Sequence, residues 1–286
     1  MLGSSFSKMA KKMFTSGEIL SLGKEELDVT DLNAVSNVQL NFNPDLILHC
    51  AALVNAELCE TEPKLAREII YVGTKNLVDT SDPKKVKFVY PQSFLVYDCA
   101  ELPITEETKP NPSFVYGREK YSAELYVKEK LDNYLIAVMA GFFGGFEKDK
   151  NFVGRIIPTI LAKIKDRHQC IDIGDRIWQP TFTDDLAANT LLLASKGRSK
   201  RYCLSSIGEC SFAELASEII RNLSLQDKIS VNTVSSDTVA RQEAAKRPQR
   251  AVVSNQKAID EGLCTMRDWK VSLSEYLKSK YFADLM

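Results

Sequence analysis

The sequence predicts an α/β protein: a doubly wound parallel sheet with a small, interleaved α/β cap. Short apolar runs alternate with amphipathic helical ones at the spacing of βαβ units. Two runs, "DLILHCAA" (45–52) and "YLIAVMAGFFGG" (134–145), read as buried strands leading into small residues. After about residue 145 the alternation becomes irregular, which is where the cap interleaves with the sheet.

Taken in order, "EILSL" (18–22) reads as a strand and "DLNAVSNVQL" (31–40) as a helix with an Asp near its start. The strand at 45–52 is followed by a helix over "EPKLAREIIYVGTKNLVDT" (62–80) and the strand "KKVKFVYPQS" (84–93). A loop rich in Pro, Glu and Thr (100–113) precedes the helix "YGREKYSAELYVKEKL" (116–131), and the strand at 134–145 ends in a Gly-bearing turn. Beyond it lie a helix (155–166), a short strand (169–174), a second helix (183–195) and one more sheet strand, "RYCLSS" (201–206). The segments 211–223, 228–234 and 267–282 complete the cap. The division expected is 1–145 with 174–206 for the nucleotide-binding, Rossmann-like part, and 146–173 with 207–286 for a substrate-binding cap.

Composition narrows the function. The chain has 286 residues, 44% hydrophobic and 26% charged, with a net charge of −1. Nothing here recruits nucleic acid or an anionic membrane. No apolar run reaches the length of a bilayer span, and no signal-peptide core is present, so a cytoplasmic protein is expected. Seven scattered cysteines without a CxxC read as buried free thiols. Two histidines, His49 and His168, are far apart, which argues against a zinc site or a Ser–His–Asp triad, and no metal is expected. Cys50 beside His49 reads as strand interior, because adjacent strand residues face opposite ways. Trp178 and Trp269 read as packing residues rather than stacking platforms.

The chemistry-bearing stretch is "SFVYGREK" (113–120). On a helix, Tyr116 and Lys120 share a face one turn apart. An ammonium beside a phenol lowers the phenol's pKa, and such a tyrosine exchanges a proton while hydride moves to or from a carbon–oxygen centre. Ser93 ends the preceding strand, and strand ends and helix starts converge at the ligand crevice of a parallel sheet. Alone, a Tyr-x-x-x-Lys pair is an ordinary helix-surface pattern. With Ser93 in order on the expected elements, it reads as catalytic.

The chain resembles the dTDP-4-dehydrorhamnose reductase family of extended short-chain dehydrogenase/reductases. The resemblance runs through "ELDVTD" (26–31), "PDLILHCAA" (44–52), "AELCETEP" (56–63), "PNPSFVYGREK" (110–120), "QPTFTDDLA" (179–187), "KRPQRAVVSNQKA" (246–258) and "RDWKVSLSEYL" (267–277). It implies that Ser93 binds the keto oxygen of a nucleotide-linked sugar, Tyr116 donates the proton and Lys120 tunes it. It further implies that Gly3, Ser4, Ser5 and Phe6 cradle the pyrophosphate of NADP or NAD. Asp28 and Val29 would meet the adenine, Ala51 and Ala52 would pass beside the cofactor, and Tyr116 and Lys120 would hold its nicotinamide ribose. Asn151, Thr181 and Arg247 would lie near the nucleotide sugar, and two copies would pair as a homodimer. Lys24, with no acidic residue at its strand end, tilts the cofactor toward NADP.

Departures bear on the same reading. A dinucleotide turn needs several small residues, yet "MLGSSFSK" keeps Gly3 alone, with almost nothing of a first strand before it. A truncated reading frame is one cause, and the neighbouring sheet edge would then lack a partner. Ile70 stands where the family carries an asparagine, Phe94 where it carries an acidic residue, and Val138 and Gly141 where it carries an arginine and an aromatic. The alternative is a non-catalytic relative serving as a regulatory or scaffolding subunit, in the manner of the methionine adenosyltransferase beta type.

Overall fold

The structure is a computed structural model, which describes residues 1–98, 101–239 and 247–285. Cys99, the first residue of the 100–113 loop and Lys246 of the 246–258 segment fall outside them. The chain opens with α1 (Leu2–Met13) and α2 (Leu32–Phe42), the latter capped by Asp31, whose carboxylate accepts from the Asn33 and Ala34 amides. Then come β1 (Leu46–Leu48), α3 (Ala56–Thr61), α4 (Pro63–Arg67), a π turn (Glu68–Val72) and α5 (Gly73–Asp79). After β2 (Lys87–Ser93) and α6 (Val115–Lys130) the chain forms β3 (Tyr134–Met139), β4 (Phe142–Phe143), α7 (Phe152–Lys165) and β5 (Cys170–Gly174). β6 (Ile177–Trp178), β7 (Thr181–Phe182), α8 (Thr183–Lys196), β8 (Arg201–Leu204) and β9 (Cys210–Ser211) follow. Last are α9 (Phe212–Asn222), β10 (Ser230–Val234), α10 (Ser236–Val239), α11 (Gln256–Asp260), α12 (Trp269–Leu277) and α13 (Lys280–Ala283).

The main sheet runs β1–β2–β3–β8, all parallel, with Leu48 opposite Val89, Ser93 opposite Met139 and Met139 opposite Leu204. The two-residue period of its strands sorts the core onto two faces. Phe88, Tyr90, Ile136 and Val138 pack with Val35, Leu77, Ala123 and Val127 of α2, α5 and α6. Val89, Leu135, Ala137 and Met139 pack with Phe6 of α1 and with Leu186 and Leu191 of α8. A second core gathers α7, α9 and α12 around the parallel β5–β10 pair and takes in both tryptophans, Trp178 and Trp269.

One expected strand is absent. Residues 18–22 are irregular, with Leu20 and Leu22 exposed, because among the described residues no neighbouring strand offers them ladder partners. For the same reason the main sheet stops at the three residues of β1, with no strand on its outer side among the described residues. The six described cysteines are unpaired thiols, but Cys170 is exposed rather than buried. Among the described residues, no helix is long and apolar enough to cross a membrane.

Candidate functional site

Ser93 is the last residue of β2, and its hydroxyl accepts from the Leu95 amide at 3.1 Å, starting the short 3-10 turn Phe94–Val96. The first turn of α6 is drawn against that turn by a glycine. A Cβ on Gly117 would come within 2.8 Å of the Leu95 carbonyl and 2.9 Å of Pro112 Cβ. Glu60 of α3 adds a distant cap, its carboxylate accepting from the Val115 amide at 2.5 Å. Neither Gly117 nor Glu60 was singled out by the sequence reading; the "YG" pair was the available signal.

These contacts place Tyr116 beside Ser93. The Tyr116 ring is 8% exposed and packs with Ala56, Cys59, Ala66, Ile70 and Phe114. Ile70, in the π turn, thus lends the phenol an apolar wall where a polar residue was expected. The electrostatic outcome reverses the expectation. Burial pushes the Tyr116 phenol up to about 12, hydrogen bonding to Ser93 pulls the other way, and the charge of Cys59 adds to the rise.

Lys120 lies on the same helix face, 5% exposed, but is turned to β2 rather than to the phenol. Its Nζ donates to the Pro91 carbonyl at 2.7 Å and sits 3.8 Å from the centroid of the Tyr90 ring. Desolvation lowers its pKa to about 7, against the opposing influence of Cys50 and Glu124. The ammonium that was to acidify the phenol is therefore itself half titrated near neutrality.

Next to it, His49 Nε2 is 2.9 Å from the Thr74 hydroxyl, and burial holds the imidazole pKa near 3, so the ring is neutral. Thr74 in turn donates to the Ile70 carbonyl at 2.5 Å. Cys50 faces the opposite way, toward α1, as strand alternation requires, and desolvation pushes its thiol up to about 12.

The amino-terminal cradle is only partly as expected. Gly3 faces Cys50, where an added Cβ would make an ordinary 3.5 Å contact, so glycine is not sterically required. Ser5 is 6% exposed and donates to the Thr183 hydroxyl on α8 at 2.9 Å, while Phe6 is 1% exposed in the core. Ser5 is spent on tying α1 to α8 and Phe6 on packing α1 against the sheet and α8, which removes both from an anion site. What α1 offers instead is its first turn, with no side-chain cap and no acidic residue. Its unpartnered N–H groups and positive dipole end suit a pyrophosphate.

Elsewhere, Asp28 is exposed and accepts from the Thr30 amide and hydroxyl, and Val29 packs against Gly73. Ala51 and Ala52 follow β1 at the carboxyl edge of the sheet. Asn151 spends its amide on the Phe142 carbonyl at 2.8 Å. Thr181 is fully buried, donating to the Gln179 carbonyl and accepting from the Ser206 amide, so it supports the wall rather than meeting a sugar. Arg247 is paired with Glu57 of α3 at 3.1 Å. Trp178 lies across Gly141: a Cβ there would collide with its six-membered ring.

A family model described as "RmlD substrate binding domain" matches residues 1–282. The chain belongs to this family. This RmlD-family member is 26% identical over 260 residues to the dTDP-4-keto-6-deoxy-D-glucose reductase of Streptomyces niveus, covering 90% of this chain and 87% of the relative. Among solved structures it is similar to a dTDP-4-dehydrorhamnose reductase from Clostridium acetobutylicum, with 28% identity, a TM-score of 0.86, and 96% and 94% of the two chains covered. It is also similar to the Bacillus anthracis dTDP-4-dehydrorhamnose reductase in complex with NADP, with 25% identity, a TM-score of 0.81 and 96% of each chain covered.

Proposed function

We propose that this RmlD-family chain is an NAD(P)H-dependent reductase of a nucleotide-linked 4-keto-6-deoxy sugar, serving deoxysugar or surface-polysaccharide biosynthesis. The observation that carries the reading is the meeting of Ser93 and Tyr116 at the carboxyl edge of the parallel sheet, beside the buried Lys120. The bound dinucleotide supplies a hydride to the sugar ketone. The first-turn N–H groups of α1 would hold its pyrophosphate, Ala51 and Ala52 would flank it, and Asp28 and Val29 would meet the adenine.

In this reading Ser93 binds the keto oxygen and Tyr116 delivers the proton. A phenol held near 12 stays protonated throughout the neutral range, which suits a donor at the start of a reduction. Lys120 steadies the charge left behind and contacts the nicotinamide ribose. Asn151 and Arg247 stand nearest the sugar nucleotide, with Thr181 as their support. The segments 1–145 with 174–206 would take the dinucleotide, and 146–173 with 207–286 the sugar. NADP is the favoured cofactor, with the exposed Lys24 near Asp28 as its support. The unpaired state of the six described thiols suits a cytoplasmic protein. Pairing of two copies belongs to the same reading, and sedimentation of the purified protein tests it.

The deciding experiment is NADPH oxidation by purified protein with a dTDP-4-keto-6-deoxy sugar. Turnover supports the reading. Absence of both turnover and cofactor binding at millimolar NADPH returns the chain to the scaffolding alternative.

A further inference from the structure

The helix that carries Tyr116 and Lys120 is anchored one turn further on by a buried acid. Glu124 is 1% exposed, accepts from the Gln92 side-chain amide of β2 at 2.8 Å, and is ion-paired with Arg201 Nη1 on β8. The other guanidinium arm, Nη2, donates to the Tyr97 hydroxyl, in the segment leaving Ser93. One cation thus grips both elements of the candidate site: the helix of Tyr116 and Lys120, and the chain just past Ser93. Gln92 closes the arrangement by donating to the Lys120 carbonyl at 3.2 Å and accepting from the Ser93 amide at 2.9 Å. A buried pair of this kind contributes little net stability against apolar substitutes, so its worth lies in fixing geometry.

We propose that Arg201 and Glu124 are positioning residues for the Ser93–Tyr116–Lys120 site, holding α6 and the Ser93 turn in register. The inference rests on the reductase reading of that site. Lys120 is faced by Tyr90 from β2, by His49 and Cys50 just past β1, and by Glu124 from its own helix. Glu124 is faced by Arg201 from β8 and by Lys128 from its own helix, and its charge also reaches Tyr90, Tyr97, Tyr134 and Cys203. With His49 neutral and Cys50 a protonated thiol, Glu124 is the carboxylate that favours the ammonium form of Lys120.

The test compares Glu124→Gln, Arg201→Lys and the double variant Glu124→Gln/Arg201→Gln, which leaves no uncompensated buried charge. NADPH oxidation with a dTDP-4-keto-6-deoxy sugar gives kcat and KM, and NMR of the Lys120 side chain gives its titration midpoint. In Glu124→Gln and the double variant, kcat should fall about tenfold or more with KM within about twofold, and in Glu124→Gln, where the carboxylate alone is lost, the Lys120 midpoint should move to lower pH. Arg201→Lys keeps the charge but loses the two-armed span, so kcat should fall while the midpoint stays. Folded variants with parental kcat and an unmoved Lys120 midpoint overturn the proposal. Should the parent itself turn over no keto sugar, the reductase reading falls, and the Lys120 midpoint alone decides whether Glu124 governs that amine.

Discussion

Lys120 Nζ sits 3.8 Å from the centroid of the Tyr90 ring while donating to the Pro91 carbonyl. The lysine is therefore held by the strand that ends in Ser93, not by the tyrosine one turn before it. This divides the work of the site. Burial, opposed by hydrogen bonding to Ser93, sets the acidity of Tyr116, and burial, opposed by Cys50 and Glu124, sets that of Lys120.

Removing the phenolic hydroxyl is the most direct check. Tyr116→Phe should lower turnover of a nucleotide-linked keto sugar by about 10²–10⁴-fold, with NADPH affinity by fluorescence titration little changed. Equal rates in mutant and parent would eliminate Tyr116 as the proton donor.

The lysine should also write itself into the pH dependence of stability. Folding lowers its pKa from 10.5 to about 7, so between those values the unfolded chain binds the additional proton. Stability from this group then rises as pH rises from 7 toward 10.5. Urea midpoints of parent and Lys120→Met, compared between pH 7 and 8.5, should show the parent gaining on the variant. A constant difference across that range would contradict the burial of a titrating amine.

His49 acts at the other end of the scale. Its imidazole is held near 3 in the fold against 6.5 when free, so stability is lost as pH falls from 6.5 toward 3, where the unfolded ring takes up a proton and the folded one does not. His49→Gln should unfold less steeply over that acid range in thermal melts. A variant that tracks the parent throughout would show that other groups control the acid limb.

Gly141 offers a steric test. Gly141→Ala should cost about 1–3 kcal/mol in chemical unfolding through overpacking, because Trp178 occupies the space above it. Adding Trp178→Leu should recover part of that loss, and strict additivity of the two changes would rule out the contact.

The fold was largely legible because strand and helix periodicities differ and the buried strands are unmistakably apolar. Ser93, Tyr116 and Lys120 were legible as a set because their order matches the order of strand end and helix start. What escaped was orientation. The spacing of Tyr116 and Lys120 puts them on one helix face, but Tyr90 and Pro91, remote in sequence, decide where the ammonium points. Residues 18–22 looked like a strand because propensity is local, whereas a strand exists only beside a partner. Ser5 and Phe6 looked like a cradle because the motif reads identity, not the side of α1 each residue takes. Glu124 and Arg201, 77 positions apart, carried no local signal at all.

The main sheet ends at Leu46–Leu48. Among the described residues no strand pairs with the outward main-chain amides and carbonyls of those three residues, and an unpaired strand edge is a template on which an extended peptide can zip. Self-association through the backbone, where it occurs, therefore starts at one short rim of the molecule rather than in its packed interior.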